Sequence, residues 1–222
     1  MRVTRSKDAR LLDGTDTVSP QSHDAGDLAM ARTENPTRES AMPDGTPHRI
    51  DFATFVRLGE LGIYPLRSEL VDGIVYDMSP KGDAHYFAQV ELVEQLSDAR
   101  AGRYRAGTEP TLKVDDRNGP MPDVLVTARD APISPASADL IVEVADSSLL
   151  YDRTAKRDRY AKAGVREYWI IDLQHEVVER YLPAGADAAT ILRAGDALAP
   201  DAYPDVAIDL AAIFAAARGG SV

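Results

Sequence analysis

The 222-residue sequence predicts an α/β fold, and three stretches carry that expectation. Leu140-Ile141-Val142-Glu143-Val144 is a nearly all-apolar run of the kind that lies buried on both faces at the centre of a sheet. Residues 153–163 follow Asp152, a good helix N-cap, and stop before Gly164, a good residue for the left-handed position after a helix. Tyr168-Trp169-Ile170-Ile171-Asp172 then reads as a second strand, so the order is that of a parallel strand, helix, strand crossover.

Composition bounds the rest. With 44% hydrophobic residues the chain can bury one substantial core and still carry a tail. It has no cysteine, which removes disulfides, thiolate zinc sites and a cysteine nucleophile together. No long apolar run fits a membrane span, and the first residues carry arginines and aspartates where a signal peptide needs an apolar stretch, so the expected location is the cytoplasm. The formal net charge of -11 argues against a protein that coats nucleic acid through a broad basic surface; a local positive groove in an acidic surround remains compatible.

Along the chain, residues 1–47 mix Asp, Thr, Ser, Pro and Arg with few bulky apolar side chains and read as a disordered tail, leaving 48–218 as the folded domain. Phe52, Phe55, Val56 and Leu58, followed by Gly59 and Gly62, predict a short amphipathic helix. Residues 68–71 and 74–76 flank Asp72-Gly73, a strong hairpin signal because both turn positions tolerate positive φ. Phe87, Val90, Leu92 and Val93 place an amphipathic helix over 85–96. Residues 111–114 and 123–126 read as two strands separated by the turn chemistry of 115–119. After the crossover, 177–182, 190–193 and 206–210 read as peripheral strands and 210–217 as a terminal helix; no internal repeat is present.

Several chemistries are absent from the sequence. It contains no Gly-x-Gly-x-x-Gly, no phosphate-loop Gly-Lys-Ser/Thr, no Gly-x-Ser-x-Gly elbow and no His-Glu-x-x-His. The four histidines, at 23, 48, 85 and 175, are too scattered in sequence to suggest a histidine-rich metal site. What remains is Asp123 at the start of one strand and Glu143 inside the next, each among residues that belong in a core. Burying a carboxylate is costly unless a cation or a set of donors meets it. Neighbouring strands lie about 4.8 Å apart, so the two side chains can converge on one ion. Magnesium suits such a pair, because it takes one or two protein carboxylates and fills its octahedron with water and substrate phosphate, and phosphodiester hydrolysis is the chemistry implied. Taken alone, Asp123 reads better as a turn residue after Pro122, and Glu143 has the alternative of a buried arginine partner such as Arg153 or Arg157.

The helix adds a third member. Asp152, Lys156, Tyr160 and Ala163 fall along one stripe, and if Tyr160 and Ala163 face the sheet, Lys156 points inward towards Glu143. The bland alternative is a lysine that snorkels along the helix to water. On the functional reading, replacing either carboxylate by its amide relieves like charge and leaves the fold at least as stable, and Lys156→Ala changes the melting temperature little.

From Ser68 to Leu182 the sequence resembles the Uma-type restriction endonuclease family, a branch of the PD-(D/E)XK nuclease superfamily. The segments that carry the resemblance are Glu69-Leu70-Val71-Asp72-Gly73 with Met78-Ser79-Pro80, His85, Pro122-Asp123, Val142-Glu143-Val144, Tyr151-Asp152-Arg153 with Lys156 and Tyr160, and Gly164-Val165-Arg166-Glu167-Tyr168-Trp169 with Asp172. The run from Asp152 to Trp169 is the specific part. The resemblance implies a restriction-endonuclease-like αβββαβ core with a mixed sheet, an N-terminal hairpin, and C-terminal strands plus a helix. It implies Mg2+ or Mn2+ held by Asp123 and Glu143, Lys156 near the scissile phosphate, Glu69 as a further acidic member, and His85 and Tyr160 in support. DNA is the implied partner, no membrane is involved, and a homodimer is left open. Glu69 has the alternative of a hairpin cross-strand partner and His85 that of a polar helix start.

Two departures from the family pattern stand out. The superfamily's usual lysine lies two residues after the glutamate, where this sequence has Ala145; and Ala145-Asp146-Ser147-Ser148-Leu149 replaces the family's Leu-Ser-Pro-Ser-Thr. The competing function is a catalytically silent module that binds nucleic acid or a partner and keeps only the fold.

Overall fold

The computed structural model describes residues 47–219. The expected tail, 1–47, lies outside the described residues but for its last position, and the chain divides at Asp44/Gly45 into two units, of which the second contains the described fold.

Helix α1 (Phe52–Glu60) starts where the Asp51 carboxylate accepts a hydrogen bond from the Thr54 amide at 2.8 Å. Strands β1 (Ser68–Val71) and β2 (Ile74–Asp77) pair antiparallel around Asp72 and Gly73, whose φ values of 50° and 82° are those the tight hairpin requires. Helix α2 (Asp83–Ala99) follows, three residues longer at its C-terminal end than its apolar spacing suggested. Strands β3 (Tyr104–Thr108), β4 (Val124–Ala128), β5 (Ala138–Ala145), β6 (Tyr168–Asp172), β7 (Val177–Tyr181) and β8 (Thr190–Leu192) form one six-stranded sheet in that spatial order. Only β5 and β6 run parallel, joined by a helical crossover of α3 (Leu149–Tyr151), a π-helical turn (Asp152–Lys156) and α4 (Arg157–Lys162). Helix α5 (Leu210–Gly219) closes the chain. The α2-β3-β4-β5-helix-β6 order is the αβββαβ core with a mixed sheet that the resemblance implied.

Period-two alternation sorts the side chains of the central strands onto the two faces of the sheet. Val124, Val126, Leu140, Val142, Val144, Trp169 and Ile171 face α2 and α5, while Leu125, Ile141, Ala145, Tyr168 and Ile170 form a second core with Tyr160 of α4. Glu143 alternates with Val142 and Val144 and so belongs to the second face, under the crossover helix.

Three expectations fail. Residues 111–114 join no ladder: Leu112 and Val114 donate to the carbonyls of Pro120 and Asn118, but Pro120 has no N–H to return a bond, and this arm stays irregular. The strand beside β4 is instead β3. Residues 206–210 make only an isolated bridge, Ile208 to Leu198. Asp152 is not an N-cap; the helix begins at Leu149, and Asp152 lies inside it. Gly164, with φ at 83°, does end the helix as expected.

The hairpin is docked on the loop that leads into β4. Leu70 and Gly119 exchange backbone hydrogen bonds at 3.2 and 2.9 Å, the Gly73 amide reaches the Arg117 carbonyl at 2.8 Å, and the Asp72 amide reaches the Asn118 side chain at 3.0 Å. Glu69 and Asp123 are brought together by this clasp. Among the described residues no helix is long and apolar enough to cross a membrane.

The clasp predicts unequal costs for two glycines in the same conformation. A Cβ at Gly164 meets nothing within 4 Å, whereas one at Gly73 lies 2.9 Å from the Arg49 Cβ and 3.0 Å from the Ile50 carbonyl. Gly164→Ala is expected to cost only the left-handed penalty of about 1 kcal/mol, and Gly73→Ala about 2 kcal/mol or more. Denaturant midpoints at unchanged slope measure both; equal losses mean that the hairpin is not held tightly against residues 49–50.

Candidate active site

One cleft of about 580 Å³ opens between the hairpin, the start of α2, the ends of β4 and β5 and the crossover helix, and Glu69, His85, Asp123, Glu143, Asp152 and Lys156 all reach it. At its floor lies Lys156, only 5% exposed. Its Nζ is 3.0 Å from Glu143 Oε2, 3.4 Å from Glu69 Oε1 and 3.8 Å from Asp152 Oδ1. Burial acts against the ammonium charge, but these acids and Asp123 outweigh it and raise its pKa, so Lys156 is charged at any working pH. It does not snorkel.

Glu143 is fixed from both sides. Lys156 holds Oε2, and the Tyr160 hydroxyl donates to Oε1 at 2.8 Å from behind the cleft. Burial pushes its carboxyl well above the usual range; Lys156 opposes the rise, and the charges on Asp123, Asp152 and Glu69 add to it. Asp152 is raised for the same first reason, against the pull of Lys156 and a hydrogen bond from the Ser148 hydroxyl. Its Oδ1 is buried without a hydrogen-bond partner. Glu69 Oε1 accepts from the Met121 amide at 2.9 Å, so the hairpin glutamate is tied to the Pro-Met-Pro-Asp segment that also delivers Asp123.

Asp123 has a different environment. Its Oδ2 accepts from the Val144 amide at 2.7 Å and faces His85 Nε2 at 2.9 Å, while Lys81 pairs with Oδ1. Gln89, one turn beyond His85, donates to the Asp123 carbonyl at 2.7 Å. Burial resists ionisation, but His85, Lys81 and Lys156 prevail and hold the carboxyl far below the usual range. Lys81 Nζ also lies 2.8 Å from Glu109 Oε1; burial opposes ionisation of Glu109, and Lys81 and Arg67 lower its pKa.

All six residues singled out from the sequence are therefore gathered at this place, five lining the cleft and Tyr160 behind Glu143. The arginine alternative for Glu143 is not what the geometry shows: Arg153 pairs with Glu179, and Arg157 stacks on the Tyr181 ring at 4.9 Å. Sequence reasoning missed Gln89, Lys81 and Asp152. Gln89 was legible as the residue four after His85 on one helix face. Lys81 sits in an irregular turn with no periodicity to mark it, and Asp152 was hidden by its resemblance to a cap.

Among the described residues no three His, Asp or Glu side chains are grouped closely enough to hold an ion by themselves. Asp123 and Glu143 still provide two hard oxygen donors on adjacent strands, paired next to each other in register at Val124 and Val142. Asp152 Oδ1 is buried without a hydrogen bond, 3.8 Å from the Lys156 ammonium, and hard carboxylate oxygens of this kind fit Mg2+ or Mn2+.

Comparison with known proteins agrees with this architecture. The Uma2 family model, described as "Putative restriction endonuclease", matches residues 60–211. A crystal structure described as a "putative nuclease" from Anabaena variabilis superposes with a TM-score of 0.57 at 19% identity, covering 72% of this chain and 98% of that one. No curated protein matches the chain.

The two environments split the expected effect of removing a carboxylate. Asp123 has a depressed pKa, so its contribution to stability is present above the unfolded value of about 3.9 and is lost as pH falls below it. Glu143 has a raised pKa, so wild-type stability is lost as pH rises from about 4.3 towards the folded value. Glu143→Gln is thus expected to match or exceed wild type at pH 7, with a margin that shrinks on acidification. Asp123→Asn is expected to melt lower at pH 7, by about 1–3 kcal/mol, because His85 and Lys81 lose their charged partner. Thermal melts of both variants between pH 4 and 8 decide it; a Glu143→Gln protein less stable than wild type at pH 7 contradicts the account.

Proposed function

Because the chain belongs to the Uma2 family, whose model carries the description "Putative restriction endonuclease", we propose that it is an endonuclease that hydrolyses phosphodiester bonds of DNA with a divalent cation, Mg2+ or Mn2+, held by Asp123 and Glu143. The observation that carries the reading is the convergence of Asp123, Glu143 and Lys156 in one cleft, with the negative charge there only partly met. A bound cation would polarise a phosphoryl oxygen and acidify water in the cleft. Lys156 steadies charge developing on the phosphate or orients the attacking water. Tyr160 and Lys156 hold the Glu143 carboxylate in one orientation, and His85 with the Val144 amide does the same for Asp123. Glu69 and Asp152 keep the ammonium charged and aimed into the cleft.

The reading of a silent nucleic-acid-binding or partner-binding module rests on one observation of its own. Each carboxylate proposed for the cation already has an ammonium partner, Lys81 on Asp123 and Lys156 on Glu143. Titration with Mn2+ separates the two readings, since a module whose acids are permanently paired off binds no ion at the cleft.

The test of the function is incubation with duplex DNA, single-stranded DNA and RNA over a range of Mg2+ and Mn2+, each against a chelator. Cleavage is expected only with metal, and Asp123→Asn and Glu143→Gln abolish it. Cleavage that continues in excess chelator removes the cation from the mechanism, and none on any substrate favours the silent module.

Lys156→Ala is expected to cut the rate by about a hundredfold or more. It is also expected to lower the metal-free melting temperature, because three buried carboxylates lose their common partner. Divalent metal should restore part of that stability without restoring the rate. A variant with the wild-type rate shows that Lys156 is only a structural counter-ion.

A further inference from the structure

The cleft carries information about its substrate in the way its charges are distributed. Three basic side chains line it, Arg67, Lys81 and Lys156, and every one is already engaged by an acid: Arg67 by Glu109 at 3.2 Å, Lys81 by Glu109 and Asp123, Lys156 by Glu143, Glu69 and Asp152. Six acids line the same walls, namely Glu69, Asp77, Asp123, Glu143, Asp146 and Asp152. A duplex-binding surface works the opposite way, by setting unpaired lysines and arginines against successive phosphates. The volume of about 580 Å³ is that of a small-molecule site and has room for one or two unstacked nucleotides. An apolar part of the wall is formed by Val71, Tyr76, Met78, Pro80, Val144 and Tyr151. Tyr76 stands out there, since a half-exposed ring on a cleft wall forgoes burial. An exposed aromatic face is what a base stacks on when it has left its own helix.

We infer that the cleft takes unpaired single-stranded DNA, with a base stacked on Tyr76 and its phosphate directed to the Asp123, Glu143 and Lys156 end. The inference rests on the nuclease reading for its chemistry and on the wall of the cleft for its substrate. Stacking supplies most of the affinity, and the few basic groups supply little.

Binding is measured apart from cleavage, by fluorescence anisotropy of a labelled oligothymidine and of a duplex of equal length, with Ca2+ in place of Mg2+. The single strand is expected to bind at least about tenfold tighter than the duplex. Tyr76→Ala is expected to weaken the single strand about tenfold, the loss of one base–aromatic stack, and Tyr76→Phe to recover it. With three basic groups at most, the slope of log affinity against log salt for the single strand is about two or less. Duplex bound as tightly as single strand, or Tyr76→Ala binding normally with an unchanged melting curve, overturns the inference, as does the failure of both oligonucleotides to bind. Tighter binding of oligouridine overturns the assignment to DNA. These failures are separable from failure of the nuclease reading: a protein that binds the single strand through Tyr76 and cuts nothing with Mg2+ or Mn2+ contradicts only the latter, and one that cuts duplex while ignoring single strands contradicts only the former.

Discussion

A single buried ammonium group organises this protein. Lys156 lies at the centre of Glu69, Glu143 and Asp152, which come from the hairpin, the central strand and the crossover helix in turn. Each of these elements brings a carboxylate that cannot be buried unpaired. The ammonium group makes their meeting possible. One cation faces three acids, however, and burial, with the mutual repulsion of the acids added to it, raises the pKa values of Glu143 and Asp152.

Local helix geometry serves this centre. Positions four apart drift steadily around an α-helix of 3.6 residues per turn, so Asp152, Lys156 and Tyr160 would spread over the surface of a regular one. The wider π turn over Asp152–Lys156 reverses part of that drift and keeps all three aimed at the sheet. Tyr160 then supports Glu143 from behind, and Asp152 is carried inside the helix instead of at its cap. The sequence offers no periodic signal for such a turn, because the apolar spacing of a helix this short is satisfied either way.

The parts of the fold that were legible in the sequence are those with strong local chemistry. Asp72-Gly73 can form few turns other than the one it forms, and the buried run around Glu143 can only be a central strand. The edge was harder to read. Tyr104-Arg105-Ala106-Gly107-Thr108 has a glycine and an arginine where a strand wants branched side chains, and its place as β3 is decided by pairing with β4, not by propensity. Residues 111–114 have the better strand composition and lose the ladder to Pro120. In the site, Glu143 was identifiable because a charge in an apolar run demands a partner, and Asp123 and Lys156 only together with it, one from the neighbouring strand and one from the helix stripe. Lys81 was not, since a lysine in a polar turn demands nothing until Asp123 is seen beside it.

The position of the lysine follows from the packing around Glu143. Two residues after Glu143, on the same strand face, lies Ala145, 1% exposed and packed in the core that contains Tyr160 and Ile170. A lysine there would have to displace apolar contacts that hold the crossover helix down. Lys156 reaches the same carboxylate from the helix and leaves that core intact. The helix is obliged to pass over the end of β5, because a parallel crossover from β5 to β6 must return along the sheet face. Topology therefore fixes where an ammonium group can meet Glu143 but not which residue provides it. A small residue at 145 and a lysine at 156 then form one arrangement: the strand gains packing, and the helix takes over the charge.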